Sequence, residues 1–164
     1  MKTVLVMRHS HAVADNSAYS DEERPLTDNG IHLIRQSIAH IKSWPVQTIL
    51  TSSAIRTQQT AKHILPTFPQ VDKVDVLDEL YLATAEQYVH SLEQLDADIH
   101  CAMLIGHNPG IANLIANWSG RHLSVSPCTV AVFRLPIEEW KILKLMNSQG
   151  QTMEALISKG QQIE

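Results

Sequence analysis

The stretch Thr3-Val4-Leu5-Val6-Met7-Arg8-His9 sets the reading of the fold: an apolar run that stops abruptly at a cation and an imidazole. A short continuous run of this kind, bounded by polar residues, reads as a strand buried on both faces. It falls short of the roughly 7–15 apolar residues of a signal-peptide core, because Arg8-His9 interrupts it. A second run, Cys101 to Ile105, ends in the same manner at Gly106-His107-Asn108-Pro109-Gly110.

Working outward, short apolar runs alternate with segments of helical period. Thr27 has the character of an N-cap, and Ile31, Ile34, Ile38 and Ile41 recur at helical spacing up to Trp44-Pro45. Val46 to Leu50 reads as a strand, followed by a helix capped by Ser52 that carries Ala54, Ala61, Ile64 and Leu65 and ends at Pro66 and Pro69. Val74 to Leu77 is a weaker strand. Thr84 with Gln87 has the form of a capping box, with Tyr88, Leu92 and Leu95 behind it. Asn108 as N-cap and Pro109 at the first helical position introduce Ile111, Leu114, Ile115 and Trp118. Thr129 to Leu135 and Trp140 to Met146 read as two further strands, paired antiparallel. Alternation of this kind predicts an α/β protein, a three-layer α/β/α sandwich with a mostly parallel mixed sheet. With 164 residues and no linker or repeat, residues 1–164 are expected to form one domain.

Composition narrows the function. Apolar residues are 44% and charged residues 18%, with a net charge of −4 and no run of Lys or Arg, which argues against nucleic acid or an anionic membrane as partner. No segment approaches the roughly 18 apolar residues of a membrane span. Cys101 and Cys128 lack metal or redox spacing and are expected to be free, buried thiols. A cytoplasmic monomer is expected.

The chemistry collects at strand ends. The first strand ends in Arg8-His9, the second leads into Ser52-Ser53-Ala54-Ile55-Arg56, and the strand from Cys101 ends at His107. In open α/β sheets the ligand crevice lies outside the carboxyl ends of the strands, so these groups are candidates to meet. Two guanidiniums and two imidazoles beside two helix N-termini would suit a phosphoryl group, whose transfer needs positioning and charge neutralisation. Arg56 stands in the first turn of its helix, a poor place for a cation unless an anion compensates. His9-Ser10-His11 has the spacing of a metal-binding pair. However, metal-dependent barrel hydrolases of that type need roughly 250 residues, and the neighbouring strand ends offer arginine rather than carboxylate. No metal and no cofactor are therefore expected.

Four motifs in order, Arg8-His9, Arg24-Pro25-Leu26-Thr27 with Gly30, Ser53-Ala54-Ile55-Arg56 with Gln59-Thr60, and Gly106-His107-Asn108-Pro109-Gly110, resemble the histidine phosphatase superfamily, the phosphoglycerate mutase-like group. The resemblance runs from residue 2 to about residue 146. Short length without a large insertion is similar to the SixA-type phosphohistidine phosphatase branch. The resemblance implies His9 as nucleophile, with Arg8, Arg56 and His107 binding the phosphoryl oxygens. Ser10 stands where the family usually has glycine, and its hydroxyl is a candidate phosphate donor. Glu79 lies where many relatives place a general acid. Arg24 has two open readings, a ligand for the phosphate or protein partner, or a brace for the loop before Thr27. His11 and the histidines at 32, 40, 63, 90, 100 and 122 are read as rim or solvated residues.

The reaction this predicts is a metal-free, two-step transfer through a phosphohistidine intermediate on neutral His9, whose pKa neighbouring arginines lower. The expected substrate is phosphohistidine on a histidine phosphotransfer domain or a phosphotransferase carrier. A small phosphate ester handled by a broad-specificity phosphomonoesterase is the alternative, and a phosphate-binding module without turnover is a third.

Overall fold

The computed structural model describes residues 1–15, 18–145 and 151–163. Its centre is β1, Lys2–Arg8, in which Val4 to Met7 are fully buried. Alternation sends Val4 and Val6 into one apolar cluster and Leu5 and Met7 into another, so the strand is covered on both faces. Around it lie β2, Thr48–Thr51, β3, Val74–Val76, β4, Cys101–Gly106, β5, Val130–Leu135, β6, Thr152–Ser158, and β7, Gln161–Gln162. Among the described residues they form one sheet of seven strands in the order β3-β2-β4-β1-β5-β6-β7. The first four in that order run parallel, while β5 pairs antiparallel with β1. The sheet is thus mixed and mostly parallel on the side that carries the motifs.

Among the described residues four α-helices complete the layers: α1, Asp28–Ile41, α2, Ile55–Ile64, α3, Ala85–Glu93, and α4, Gly110–Ser119. Side chains of α1 and α2 join the Leu5–Met7 cluster, and those of α3 and α4 join the Val4–Val6 cluster. The three-layer arrangement follows from this division. Thr27 caps α1 by accepting from the Gly30 amide at 3.1 Å, and Thr84 with Gln87 closes a reciprocal capping box on α3. No helix among the described residues is long and apolar enough to cross a membrane. Cys101 and Cys128 are free and buried.

Three local expectations need correction. Trp140–Leu145 is a 3₁₀ segment rather than a strand, and Met146 lies outside the described residues. Its apolar anchors Trp140 and Leu143 recur every third residue, which suits a 3₁₀ turn, and the Trp140 indole donates to the Ile99 carbonyl at 2.8 Å. The partner of β5 is instead β6, which the sequence pattern did not announce because Glu154 interrupts it. Asn108 is not the cap of α4: Pro109 occupies that position, and the Asn108 amide is drawn away to the Val125 carbonyl at 2.9 Å. Ser52 likewise leaves the cap position of α2 to Ala54.

Gly30, in the first turn of α1, packs directly on the backbone of His11, where an added Cβ would collide with the carbonyl group. This close approach seats α1 under the chain segment that leaves β1. A Gly30→Ala substitution is expected to cost about 3 kcal/mol, since backbone cannot yield as a side chain tip does. Urea denaturation reads this as a lowered midpoint, and an unchanged midpoint would show that the segment relaxes freely.

Candidate active site

Parallel strands place their C-terminal ends along one edge, and the register of β1 with β4 sets Arg8 opposite Gly106. The next residues, His9 and His107, therefore become neighbours, with ring centroids 5.3 Å apart. From the end of β2 the chain turns through Ser52 into α2, whose second residue is Arg56. The three side chains are almost sealed from solvent, at 8% exposure for His9, 2% for Arg56 and 1% for His107.

Hydrogen bonds determine both imidazole tautomers. His9 Nδ1 lies 2.7 Å from the Ser10 carbonyl oxygen. A carbonyl only accepts, so Nδ1 carries the proton and the lone pair of the neutral ring sits on Nε2. Arg56 Nε donates to that Nε2 at 3.3 Å. At His107 the roles follow the same logic. Arg56 Nη2 donates to Nδ1 at 3.2 Å, so Nε2–H donates to Ser52 Oγ at 2.7 Å. Ser52 passes the chain to Thr57 Oγ1 at 2.8 Å, and Thr57 ends it on the Ala54 carbonyl at 2.8 Å. The backbone amide of His107 donates to the Tyr88 hydroxyl at 2.8 Å.

Electrostatics keep both rings neutral. Burial is the main cause that lowers His9 to about 4; the Ser10 carbonyl opposes it, and the charges of Arg56, Arg8 and Arg24 add to it. Burial also leads for His107, held at about 3, with His9 and Arg56 assisting and Asp21 opposing. Arg8 donates through Nη1 to the Val125 carbonyl at 2.9 Å, while its Nε is buried with no partner among the described residues. Together these groups offer guanidinium donors and a nitrogen lone pair to one small space, the equipment for attack on a bound oxyanion.

Comparisons with known proteins identify the family and the fold. The family model of the histidine phosphatase superfamily (branch 1) matches residues 4–108. The chain belongs to that superfamily. An uncharacterised chloroplast protein of Arabidopsis thaliana is 26% identical over 96% of this chain and 78% of its own length. Among solved structures, a protein histidine phosphatase SixA complexed with tungstate shares the fold at a TM-score of 0.76, with 21% identity over 96% of this chain and 97% of that one. An α-ribazole phosphatase from Shigella flexneri shares it at 0.70, with 15% identity over 96% of each. Membership in the superfamily supports a phosphatase activity.

Not every residue that the superfamily motifs pointed to reaches the pocket. Ser10 is fully buried and its hydroxyl donates to the Gly30 carbonyl at 2.7 Å, while its amide donates to Thr60 Oγ1. Its proton is thus committed to α1 and is not offered to a phosphate. Arg24 braces its loop, donating to the Val13 carbonyl at 2.9 Å and pairing with Asp15 and with Asp21. Of its two open readings, the brace is the one this geometry matches. Glu79 sits exposed in the 3₁₀ turn Asp78–Leu80 and makes no hydrogen bond or ion pair among the described residues. His11 is exposed, with Nδ1 2.8 Å from Thr27 Oγ1. Among the described residues no three His, Cys, Asp or Glu side chains cluster as a metal would require.

Sequence reasoning missed Asp21, Tyr81, Tyr88 and the true role of Ser52. Asp21 carries the clearest signal in hindsight, because Arg56 at a helix N-terminus demanded an anion. Its carboxylate lies 3.2 Å from Arg56 Nη2, and its carbonyl also accepts from Arg56. Burial works to raise the Asp21 pKa, but the hydrogen bond from Tyr81 and the charges and bonds of Arg56 and Arg24 outweigh it and hold it at about 2.

Neutral burial of two histidines has a consequence for stability. In the unfolded chain both regain the ordinary value of 6.5, whereas the folded values are about 4 and 3. Between about pH 6.5 and 4 the unfolded chain binds more protons, so stability falls as pH is lowered through that window. Asp21, lowered to about 2, adds a stabilisation that is nearly constant above about pH 5 and is lost only as pH falls further, so it does not affect a comparison of pH 7 with pH 5. Moving from pH 7 to 5 should cost about 2 kcal/mol per histidine. Urea unfolding at the two pH values measures this, and a His107→Asn variant should lose about half of the difference. Equal stability at both would mean that the rings are not buried neutral.

Proposed function

We propose that this chain is a metal-independent phosphatase that removes phosphate from phosphohistidine on a signalling or phosphotransfer protein, with His9 as nucleophile. The observation that carries the reading is the His9 ring itself: Nδ1–H held by the Ser10 carbonyl, Nε2 unprotonated and facing Arg56. A neutral imidazole in this state is a competent nucleophile at neutral pH.

In the first step Nε2 attacks phosphorus in line, the N–P bond forms, and the bond to the leaving group breaks. The guanidiniums of Arg56 and Arg8 take equatorial oxygens, and His107 takes another as the tautomer protonated on Nδ1. Its Nε2 then accepts from the Ser52 hydroxyl, a contact whose geometry allows either partner to donate. Arg8 Nε is an uncommitted donor for this purpose. In the second step water attacks phosphorus on the far side, His9 leaves, and inorganic phosphate departs. The Ser10 carbonyl stabilises the cation that the His9 ring becomes while phosphorylated, as an acceptor fixed on Nδ1–H.

The substrate class is argued from the leaving group. An alkoxide needs a proton donor, and Glu79, the candidate for that task, is exposed and uncoupled from the pocket residues. A ring nitrogen of phosphohistidine can leave already protonated at its other nitrogen and needs no such donor. The likeness to a SixA protein histidine phosphatase agrees with this choice. The likeness to an α-ribazole phosphatase favours a small phosphate ester as the second reading.

The test incubates the protein, in the presence of a chelator, with a phosphohistidine-bearing phosphotransfer protein and with an aryl phosphate. Release of phosphate from the phosphoprotein at the higher kcat/KM is expected, and a metal requirement would contradict the reading. His9→Ala should lower the rate at least about 10³-fold, as loss of a covalent nucleophile does. The acid limb of kcat/KM, which reports the free enzyme, should fall near pH 4 rather than near 6.5.

A further inference from the structure

We propose that Asp21 is a specificity-determining residue that favours a phosphoryl group carried on a protonated imidazole over one carried on oxygen; the inference rests on the phosphohistidine reading above. Its position argues for it. The Asp21 side chain is 40% exposed while the Arg56 side chain beneath it is 2% exposed. Arg56 therefore turns an inner edge to His9 and His107 and an outer edge to Asp21. Tyr81 donates its hydroxyl to Asp21 Oδ2, and its ring meets the His107 ring edge-on with centroids 5.6 Å apart. Asp21 and Tyr81 thus stand between the buried floor of the pocket and solvent.

In-line displacement places the leaving group opposite the attacking nitrogen. His9 Nε2 faces Arg56, and Asp21 lies on the outer, more exposed side of Arg56, so the leaving group is taken to depart on the side of Asp21. Phosphohistidine protonated on the ring nitrogen remote from phosphorus is a cation. As His9 Nε2 bonds to phosphorus, the substrate P–N bond breaks and its electron pair returns to the substrate ring, which leaves as neutral imidazole with its remote proton in place. A carboxylate facing that ring stabilises the cationic, reactive form. An aryl or alkyl ester breaks a P–O bond instead, and the electron pair departs on an oxygen anion that the same carboxylate repels.

The charged and titratable groups facing Asp21 are Arg24 from its own loop, Arg56 from α2, Tyr81 after the 3₁₀ turn with Glu22 near it, and His107 behind Arg56. Arg24 and Arg56 keep Asp21 ionised throughout the working range. Tyr81 spends its proton on Asp21, so neither group is a ready donor for an alkoxide.

Steady-state kinetics of full-length wild type, Asp21→Asn and Asp21→Glu decide the matter, with a phosphohistidine-bearing phosphotransfer protein and p-nitrophenyl phosphate as substrates. In Asp21→Asn the preference for phosphohistidine, as a ratio of kcat/KM values, should fall about tenfold, and the alkaline limb of kcat for phosphohistidine should move down by about one pH unit. Asp21→Glu should restore both in part. A uniform loss on both substrates with the alkaline limb unmoved would reduce Asp21 to a brace for Arg56 and overturn the inference alone. A wild type inactive on phosphohistidine would overturn the phosphohistidine reading and this inference with it.

Discussion

A guanidinium buried at the edge of the sheet is the constraint on which the pocket depends. Arg56 is 2% exposed, and a charge so placed is tolerated only when every side of it is paired. Two neutral imidazoles accept on its inner side, and the carboxylate and carbonyl of Asp21 accept on its outer side. Removing any one partner would leave a buried donor unsatisfied, so the four residues hold one another in place. The same pairing answers the helix dipole, which places positive potential at the start of α2 where Arg56 stands.

Scaffold contacts translate this pairing into position. The carbonyl of His9 accepts from Cys128, its ring leans on the carbonyl of Ser10, and Ser10 is pinned by Gly30 and Thr60. On the opposite side Tyr88 accepts from the His107 amide, and Gly106 and Gly110 leave room for its ring. Each contact comes from a different element, so the two imidazoles are located by the whole α/β/α stack rather than by one loop. Serine at position 10, in place of the glycine usual in the superfamily, costs the pocket no space because its hydroxyl is absorbed by α1.

Burial also sets the chemistry. Desolvation leads the causes that lower both histidines, and the surrounding arginines reinforce it. The environment that makes the fold sensitive to mild acid is therefore the one that leaves Nε2 of His9 unprotonated. Stability and nucleophilicity are drawn from one electrostatic arrangement.

The sequence by itself determined the layers and the meeting place. Apolar runs ending in Arg8-His9 and in His107 read as buried strands, whose aligned ends made His9, Arg56 and His107 candidates to meet, and the resemblance to the superfamily motifs singled them out. Caps at Thr27 and Thr84 were legible too, because a cap is a local hydrogen bond within four residues. What only the tertiary structure decided lies in contacts between distant segments. Asp21 meets Arg56 across 35 positions, Ser52 turns from its own helix to His107, and Trp140–Leu145 folds as a 3₁₀ turn because Trp140 and Leu143 find a core three residues apart. Local pattern states which side chains must be buried. It does not state which distant group will satisfy a buried charge, since that depends on loop paths that no periodicity encodes.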